Sequence, residues 1–513
     1  MTTPIPENRA RFDLGEVVAA TAGELLSAGV LGAGGAAVGV STDTRALVRG
    51  AVFVALGGDS FDGHTHLEAA AAAGAVLALV ERPVAAPPGM ALVRVRSTLD
   101  ALGALARTHA RRWRALGGQR ITVAITGSAG KTTTRAAVAA LAEARWPGAV
   151  HATRGNLNNR VGAPLMLLGL EGHHRLTVIE VGTNQPGEIA ALASVVEPDA
   201  AVLTLIAAAH VEGLGSLEGV AAEKGALFAA LSPRGLAVGN ADDARVRRAL
   251  DAAPAGRAVS YGFAPEATYR ISAREPLGLT QARLTLARGA SARAGAGGSE
   301  LLTPLLGEAG ALASAAAVAV VEELSGQAFS GDELTRALSA AQIGGGAGRL
   351  APRLLPDGLA IVDDSYNANP ASSCASIRAS AELAQADGRR LLLVLGEMRE
   401  LGAHAAEGHD EVGRAAAASG AALVVAIGGE ARRIAAAAAQ AGMRAVFVDS
   451  AAEATPLVLA EANSRDLILV KGSRGVATER VVRALVAARE ATPEPGDAAA
   501  PGASDLGRGK GAA

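Results

Sequence analysis

Nine consecutive residues, Thr126-Gly127-Ser128-Ala129-Gly130-Lys131-Thr132-Thr133-Thr134, combine the side chains and backbone freedom that a nucleotide phosphate requires. Glycines let N–H groups turn toward an anion, and a helix start adds positive potential. Lys131 can reach the β- and γ-phosphates, and Thr132 can ligate magnesium. The general phosphate-loop pattern places a glycine five residues before Gly130; Ile125 stands there, so this is the shorter TGxxGKT form. A glycine-rich strand-to-helix turn with an exposed lysine is the alternative reading of the same residues. Glu180 closes the apolar run LTVIE, and His210 follows AVLTLIAAA. Both fall at the carboxyl ends of expected strands, where ligands of open α/β sheets gather, which makes them metal-site candidates; either alone could be structural. In SLEGVAAEKGALFAAL, Leu217, Val220, Leu227, Phe228 and Leu231 form one helical stripe, and Lys224 falls inside it. Burial disfavours an ammonium, so this amine can be neutral and available for chemistry; a stem that snorkels outward is the competing reading.

These residues need a scaffold. ITVAI, within 120–125, reads as a buried strand, and KTTTRAAVAALAEARW reads as a helix ended by Pro147. Strands at 176–181 and 200–206 alternate with helices, and a short strand follows at 236–239, the rhythm of a parallel sheet with crossover helices. The stretch 291–299 (SARAGAGGS) reads as a loop. A second series from Gly358, with LAIVD, LLLVL, ALVVAI, AVFV and DLILV, predicts a separate five-stranded dinucleotide-fold-like sheet. Ahead of both, AVFVAL and AVLALV predict a smaller mixed α/β domain.

The 513 residues suggest about three domains at roughly 150 residues each. The boundaries expected are 1–117, 118–346 and 347–490, with a Pro-, Gly- and Ala-rich tail at 491–513 expected to be disordered. A formal net charge of −2 offers no global field for nucleic acid, so any polyanion must be gripped locally. The single cysteine, Cys374, permits neither an intramolecular disulfide nor a cysteine zinc cluster, which fits a reducing compartment. The start MTTPIPENRARF lacks the order of a signal peptide, and the longest apolar runs fall short of the roughly 20 residues that span a bilayer, so a cytoplasmic protein without membrane insertion is expected. Aromatic residues are only 2%, so the cores must be filled by Ala, Val and Leu.

The motifs resemble the Mur ligases of peptidoglycan synthesis along nearly the whole chain, the tail excluded. The N-terminal region carries Thr42-Asp43-Thr44-Arg45, VFVAL and Phe61-Asp62-Gly63-His64. The centre carries TGSAGKTTT, Gly155-Asn156-Leu157-Asn158-Asn159, IEVGTNQPGEI, AAAHVEGLGSLEGVAAEKG and Asn240-Ala241-Asp242-Asp243. The last third carries Gly348-Arg349, Asp363-Asp364-Ser365-Tyr366-Asn367-Ala368-Asn369-Pro370, LGEMRELG and Val470-Lys471-Gly472-Ser473-Arg474. DDSYNANP is the most specific of these. The DNPR motif by which the diaminopimelate-adding sibling is known does not occur.

The resemblance implies a UDP-MurNAc-binding N-terminal domain, a central ATP-binding domain and a Rossmann-like C-terminal domain. The activity it implies is ATP-dependent amide formation, in which the carboxylate of UDP-MurNAc-tripeptide is phosphorylated and the amine of D-alanyl-D-alanine displaces phosphate, within cell-wall biogenesis, cell shape and division. ATP and Mg2+ are the implied cofactors, and a monomer is expected. The phosphate-loop residues Thr126, Gly127, Ser128, Ala129, Gly130, Lys131, Thr132 and Thr133 would hold ATP, with Asn240, Arg349, Asp364 and Tyr366. Thr132, Glu180, His210 and a carboxylated Lys224 would hold metal. Thr44, Arg45, Asn156, Asn158, Asn159, Asn367 and Asn369 would contact substrate. The chain departs where members usually show GxHNxxN: it reads Gly307-Glu308-Ala309-Gly310-Ala311-Leu312-Ala313, without the His or either Asn. Arg160 also stands where an acidic or neutral residue is usual, either as a phosphate contact or as a surface change. Two alternatives stand beside the leading reading: a sibling ligase adding a single amino acid, and a nucleotide-binding relative with impaired turnover.

Overall fold

In a computed structural model that describes residues 3–58, 61–340 and 348–490, the apolar run Ile121–Thr126 is buried at every position. It forms the third strand of a nine-stranded sheet. Leu176–Glu180 pairs parallel on one side, with Ile125 beside Glu180, and Ala200–Leu203 pairs parallel on the other, with Thr126 beside Leu203. Three carboxyl ends therefore open at one edge, as parallel crossovers require. Because side chains alternate along a strand, Val123 and Ile125 pack under the helices Lys131–Arg145 and Gly307–Ser325, while Ala124 faces the helices Gly162–Leu168, Glu188–Val196 and Leu217–Ala229.

The central sheet differs from expectation beyond Leu236–Asn240 and Arg257–Gly262. The strand Tyr269–Leu277 joins parallel and then starts an antiparallel meander with Gln281–Arg288 and Gly297–Thr303. These strands carry Arg, Thr and Ser on their open face, so no apolar run announces them. The loop expected over 291–299 gives up its last three residues to the final strand.

The five expected strands of the last third form a parallel sheet in the order Ala360–Asp364, Asp466–Lys471, Arg390–Gly396, Leu423–Ile427, Ala445–Val448. An antiparallel edge strand, Ala351–Leu354, is added to it. Near the N-terminus, Glu24–Ser27, Ala91–Arg94, Leu77–Val80, Val52–Val54 and Val40–Ser41 form a mixed five-stranded sheet. Its apolar cluster runs without a break through Phe12, Val93, Leu102 and Trp113 into Leu165, Ile179 and Leu203 of the central sheet. Leu306 instead joins the core of the last sheet, an anchor between the centre and the C-terminal part. The boundary expected at 346/347 falls within 341–347 and, like the tail 491–513, lies outside the described residues. No helix among the described residues is long and apolar enough to cross a membrane.

Candidate active site

The strand Ile121–Thr126 delivers the chain into a loop that only glycine could form at two places. At Gly127 (φ +151°) a Cβ would come 1.9 Å from Thr204 Oγ1, and Gly130 (φ +82°) turns left-handed to start the helix at Lys131. Ser128 N–H donates to Leu205 O (2.7 Å), the Ser128 hydroxyl to Ala207 O (2.9 Å) and the Thr204 hydroxyl to Ala129 O (2.6 Å). The loop is thus fastened to the chain that leaves the adjacent strand. Lys131 curls back, its ammonium donating to Gly127 O at 2.6 Å. Burial lowers its pKa, opposed by Glu180 and reinforced by the charge of Arg349.

Glu180 is 1% exposed at the next strand's end. It accepts from the Thr132 hydroxyl and from Asn158 Nδ2, both at 2.9 Å, and Arg135 Nε lies 3.6 Å away. A hydroxyl and a carboxylate oxygen side by side at a phosphate loop are hard donors of the kind Mg2+ takes, together with phosphate oxygens. Among the described residues no three His, Cys, Asp or Glu side chains converge as a metal cluster. His210, left-handed at φ +56°, meets Glu400 of the C-terminal part instead, Nδ1 to Oε2 at 2.6 Å. Burial lowers its pKa; Glu400 raises it, while Lys131 and Lys224 lower it further.

Lys224 is 1% exposed, on the same face as buried Val220, Leu227 and Phe228. The snorkelling alternative is not what forms. Burial pushes its pKa down to about 7, with Lys131 adding to the effect and Glu223 opposing it. Glu223 was missed in the sequence, although it adjoins Lys224. Its carboxylate accepts from Gly187 N–H and Ile189 N–H (2.7 Å each) and from the Thr183 hydroxyl (3.2 Å), so it fixes the lysine's helix to the start of the helix Glu188–Val196.

A cleft of about 2810 Å³ takes its lining from both the centre and the last third of the chain. Ser128, Ala129, Gly130, Lys131, Thr132 and Thr133 face it, as do Glu180, His210, Asn156, Asn158, Asn159 and Asn240. From the other side come Arg349, Asp364, Tyr366, Asn367 and Asn369. Asn369 caps the helix Pro370–Ala386 through a capping box, and its Nδ2 donates to Ser128 O at 3.3 Å, a direct bond between the DDSYNANP segment and the phosphate loop.

Several expected contact groups are occupied by the protein itself. Asn240 donates to Thr204 O (3.0 Å) and accepts from Asp242 N–H (2.9 Å), tying strand ends together. Asp364 accepts from Lys471 Nζ and the Ser376 hydroxyl (2.6 Å each) and from Leu350 N–H (3.0 Å). Asn159 caps the turn into Gly162, and Asn156 bonds the Thr3 hydroxyl. Thr44 and Arg45 lie outside the cleft lining; the Arg45 side chain is 88% exposed and paired with its neighbour Asp43. Lys224 and the first loop residues Thr126 and Gly127 sit behind the wall rather than on it. Arg160 pairs with Asp100, which makes it a surface ion pair and not a cleft contact.

Ala309 and Gly310 face the cleft at the start of the helix Gly307–Ser325. A Cβ at Gly310 would lie 2.4 Å from the Leu305 carbonyl carbon, and one at Gly307 would lie 2.6 Å from Ala379 Cβ. Where the resemblance leads one to expect long polar side chains, this backbone leaves no room for one at Gly310. The centre and the C-terminal part instead approach through small residues, supplemented by an Arg274–Glu382 ion pair at 2.8 Å.

The model of the Mur ligase middle domain matches residues 125–321, that of the Mur ligase glutamate ligase domain matches 348–474, and that of the Mur ligase family catalytic domain matches 37–110. The chain is 37% identical over 449 residues to the UDP-N-acetylmuramoyl-tripeptide–D-alanyl-D-alanine ligase of Escherichia coli (strain K12), covering 87% of this chain and 93% of that protein. With the Bacillus subtilis (strain 168) ligase of the same name the identity is 31%, with the same coverage. Among solved structures it is similar to MurF from Acinetobacter baumannii (TM-score 0.80, 28% identity, covering 94% of this chain and 100% of that one). It is also similar to the MurF ligase from Thermotoga maritima in complex with ADP (TM-score 0.74, 25% identity, covering 88% and 97%).

Proposed function

The chain belongs to the Mur ligase family, and on that premise we propose that it joins D-alanyl-D-alanine to UDP-N-acetylmuramoyl-tripeptide at the expense of ATP, releasing ADP and phosphate. One observation carries this reading: the phosphate loop and the DDSYNANP segment line a single cleft and touch through Asn369 and Ser128.

The chemistry follows from the side chains. A carboxylate is a poor acylating agent, and bringing it to a triphosphate sets two anions against each other. Lys131 and the loop N–H groups bind the β- and γ-phosphates, and Arg349 adds a cation from the opposite wall. The Thr132 hydroxyl and Glu180 would hold Mg2+, which would supply further charge neutralisation when bound. Lys224, with a pKa near neutrality, carries an amine whose neutral form would add carbon dioxide and release one proton, giving an anionic carbamate that would serve as a ligand with His210. The acyl phosphate formed on the tripeptide is then open to the amine of the dipeptide, and closure of the C-terminal part over the cleft excludes water. Asn156 and Asn158 serve the muramoyl side. Asn367 and Asn369 serve the acceptor side. On this reading the protein works as a monomer in the cytoplasm.

The test is the mass of the product formed from ATP and UDP-MurNAc-tripeptide with a panel of acceptors. The pentapeptide should appear with D-alanyl-D-alanine. Product with a single amino acid instead would assign a sibling activity, and no ADP with any acceptor would assign a relative without turnover.

A further inference from the structure

Arg349 reaches the cleft from a short segment with little structure of its own, just ahead of the edge strand Ala351–Leu354. What aims its side chain is visible in the contacts. Tyr366 N–H donates to Gly348 O at 2.9 Å, and Leu350 N–H donates to Asp364 Oδ1 at 3.0 Å, so the residues on both sides of Arg349 are stitched to the segment 364–366. Gly348 permits this approach, at φ +91°, because a Cβ there would come 2.8 Å from Tyr366 N. The Arg349 guanidinium then lies over the Tyr366 ring, 4.0 Å from its centroid. Among the described residues the guanidinium has no ion pair or hydrogen bond, and the Tyr366 hydroxyl has no hydrogen bond. The ring face is its support. Arg474 also approaches that ring, at 5.4 Å.

From this geometry we infer that Tyr366 is a positioning residue, whose aromatic face holds the Arg349 guanidinium in the cleft opposite Lys131, where it meets the triphosphate. The inference rests on the reading of this cleft as an ATP site. An aromatic quadrupole attracts a guanidinium without a hydrogen bond and restrains a long side chain that would otherwise sample solvent. Phenylalanine offers the same face as tyrosine; leucine offers none. Arg349 lines the same cleft as Lys131 and Arg135, and its charge lowers the pKa of both.

The test uses the full-length protein and the dissociation constant of a non-hydrolysable ATP analogue, so that it does not depend on turnover. Tyr366→Phe should bind within about twofold of the parent. Tyr366→Leu should bind about tenfold more weakly, a change that corresponds to about 1.4 kcal/mol. In an Arg349→Ala background, Tyr366→Leu should weaken binding by no more than about twofold, because the residue acts chiefly through Arg349, Arg474 lying farther from the ring. Phe as damaging as Leu would assign the effect to the hydroxyl and overturn the inference. So would a Leu penalty above about twofold without Arg349, or a Leu variant that binds like the parent. If the Leu variant does not fold, the Phe variant decides alone, with a fivefold or greater loss refuting the role. Failure of the ligase reading is seen separately, as absence of pentapeptide product from the parent protein, while failure of the parent to bind the analogue would sink both.

Discussion

Replacing Lys224 by methionine should stabilise the protein at neutral pH while removing its turnover. The lysine is buried, and its pKa falls from 10.5 to about 7. At about 1.4 kcal/mol per pH unit, that displacement places about 5 kcal/mol of desolvation cost on the folded protein. The unfolded chain holds this proton up to about pH 10.5, whereas the folded chain releases it from about pH 7 upward. Between those values unfolding takes up a proton, so stability rises with pH across the window, and below it the full penalty is present. Methionine has similar length and no charge, so it removes the penalty at a modest packing cost. Calorimetric melting of both proteins from pH 6 to pH 10, in metal-free and carbon-dioxide-free buffer, reads the difference. The variant should melt roughly 5–10 °C higher at pH 6–7, with the gap closing toward pH 10. A gap independent of pH, or a variant that is less stable at pH 7, would refute the buried neutral amine.

Lys224→Ala should lose product formation and recover part of it with added short carboxylic acids, which can occupy the position of a carboxylated lysine; no recovery in a folded variant would count against that role. Glu400→Gln should lower the His210 pKa further, because Glu400 is what raises it against burial; imidazole titration followed by NMR should show the shift downward, and an upward shift would contradict the pairing. Gly310→Asn, which restores the usual family residue, should cost about 1–3 kcal/mol through overpacking against the Leu305 carbonyl. A melting temperature unchanged by that substitution would show that the helix start yields freely.

The phosphate-loop unit was legible because an apolar run, a glycine turn and a helix follow one another within thirty residues, each with its own local signal. Lys224 was legible for a similar reason, since helical periodicity alone places it on the buried face. The meander at 269–303 was not, because its strands bury only alternate residues, Tyr269, Ile271, Leu284, Leu286 and Leu301 among them, and so present no continuous apolar run. Distant partners explain the rest. Nothing near Asp364 in sequence announces that Lys471 will occupy its carboxylate, nor that Thr204 will take the amide of Asn240. Motif resemblance placed both residues at the cleft, and the structure adds that their polar groups already hold the walls together. Glu223 and Glu400 stood inside quoted motifs without a role, because their partners belong to other helices and, for Glu400, to the other side of the cleft. Thr44 and Arg45 lie away from the cleft, at the end of the N-terminal sheet.

The most direct measurement is a crystal structure of the protein grown with a non-hydrolysable ATP analogue and magnesium. One triphosphate should be found in contact with both Lys131 and Arg349, with Thr132 and Glu180 at the metal. An analogue bound at the phosphate loop with Arg349 turned away to solvent, or bound elsewhere, would contradict the account.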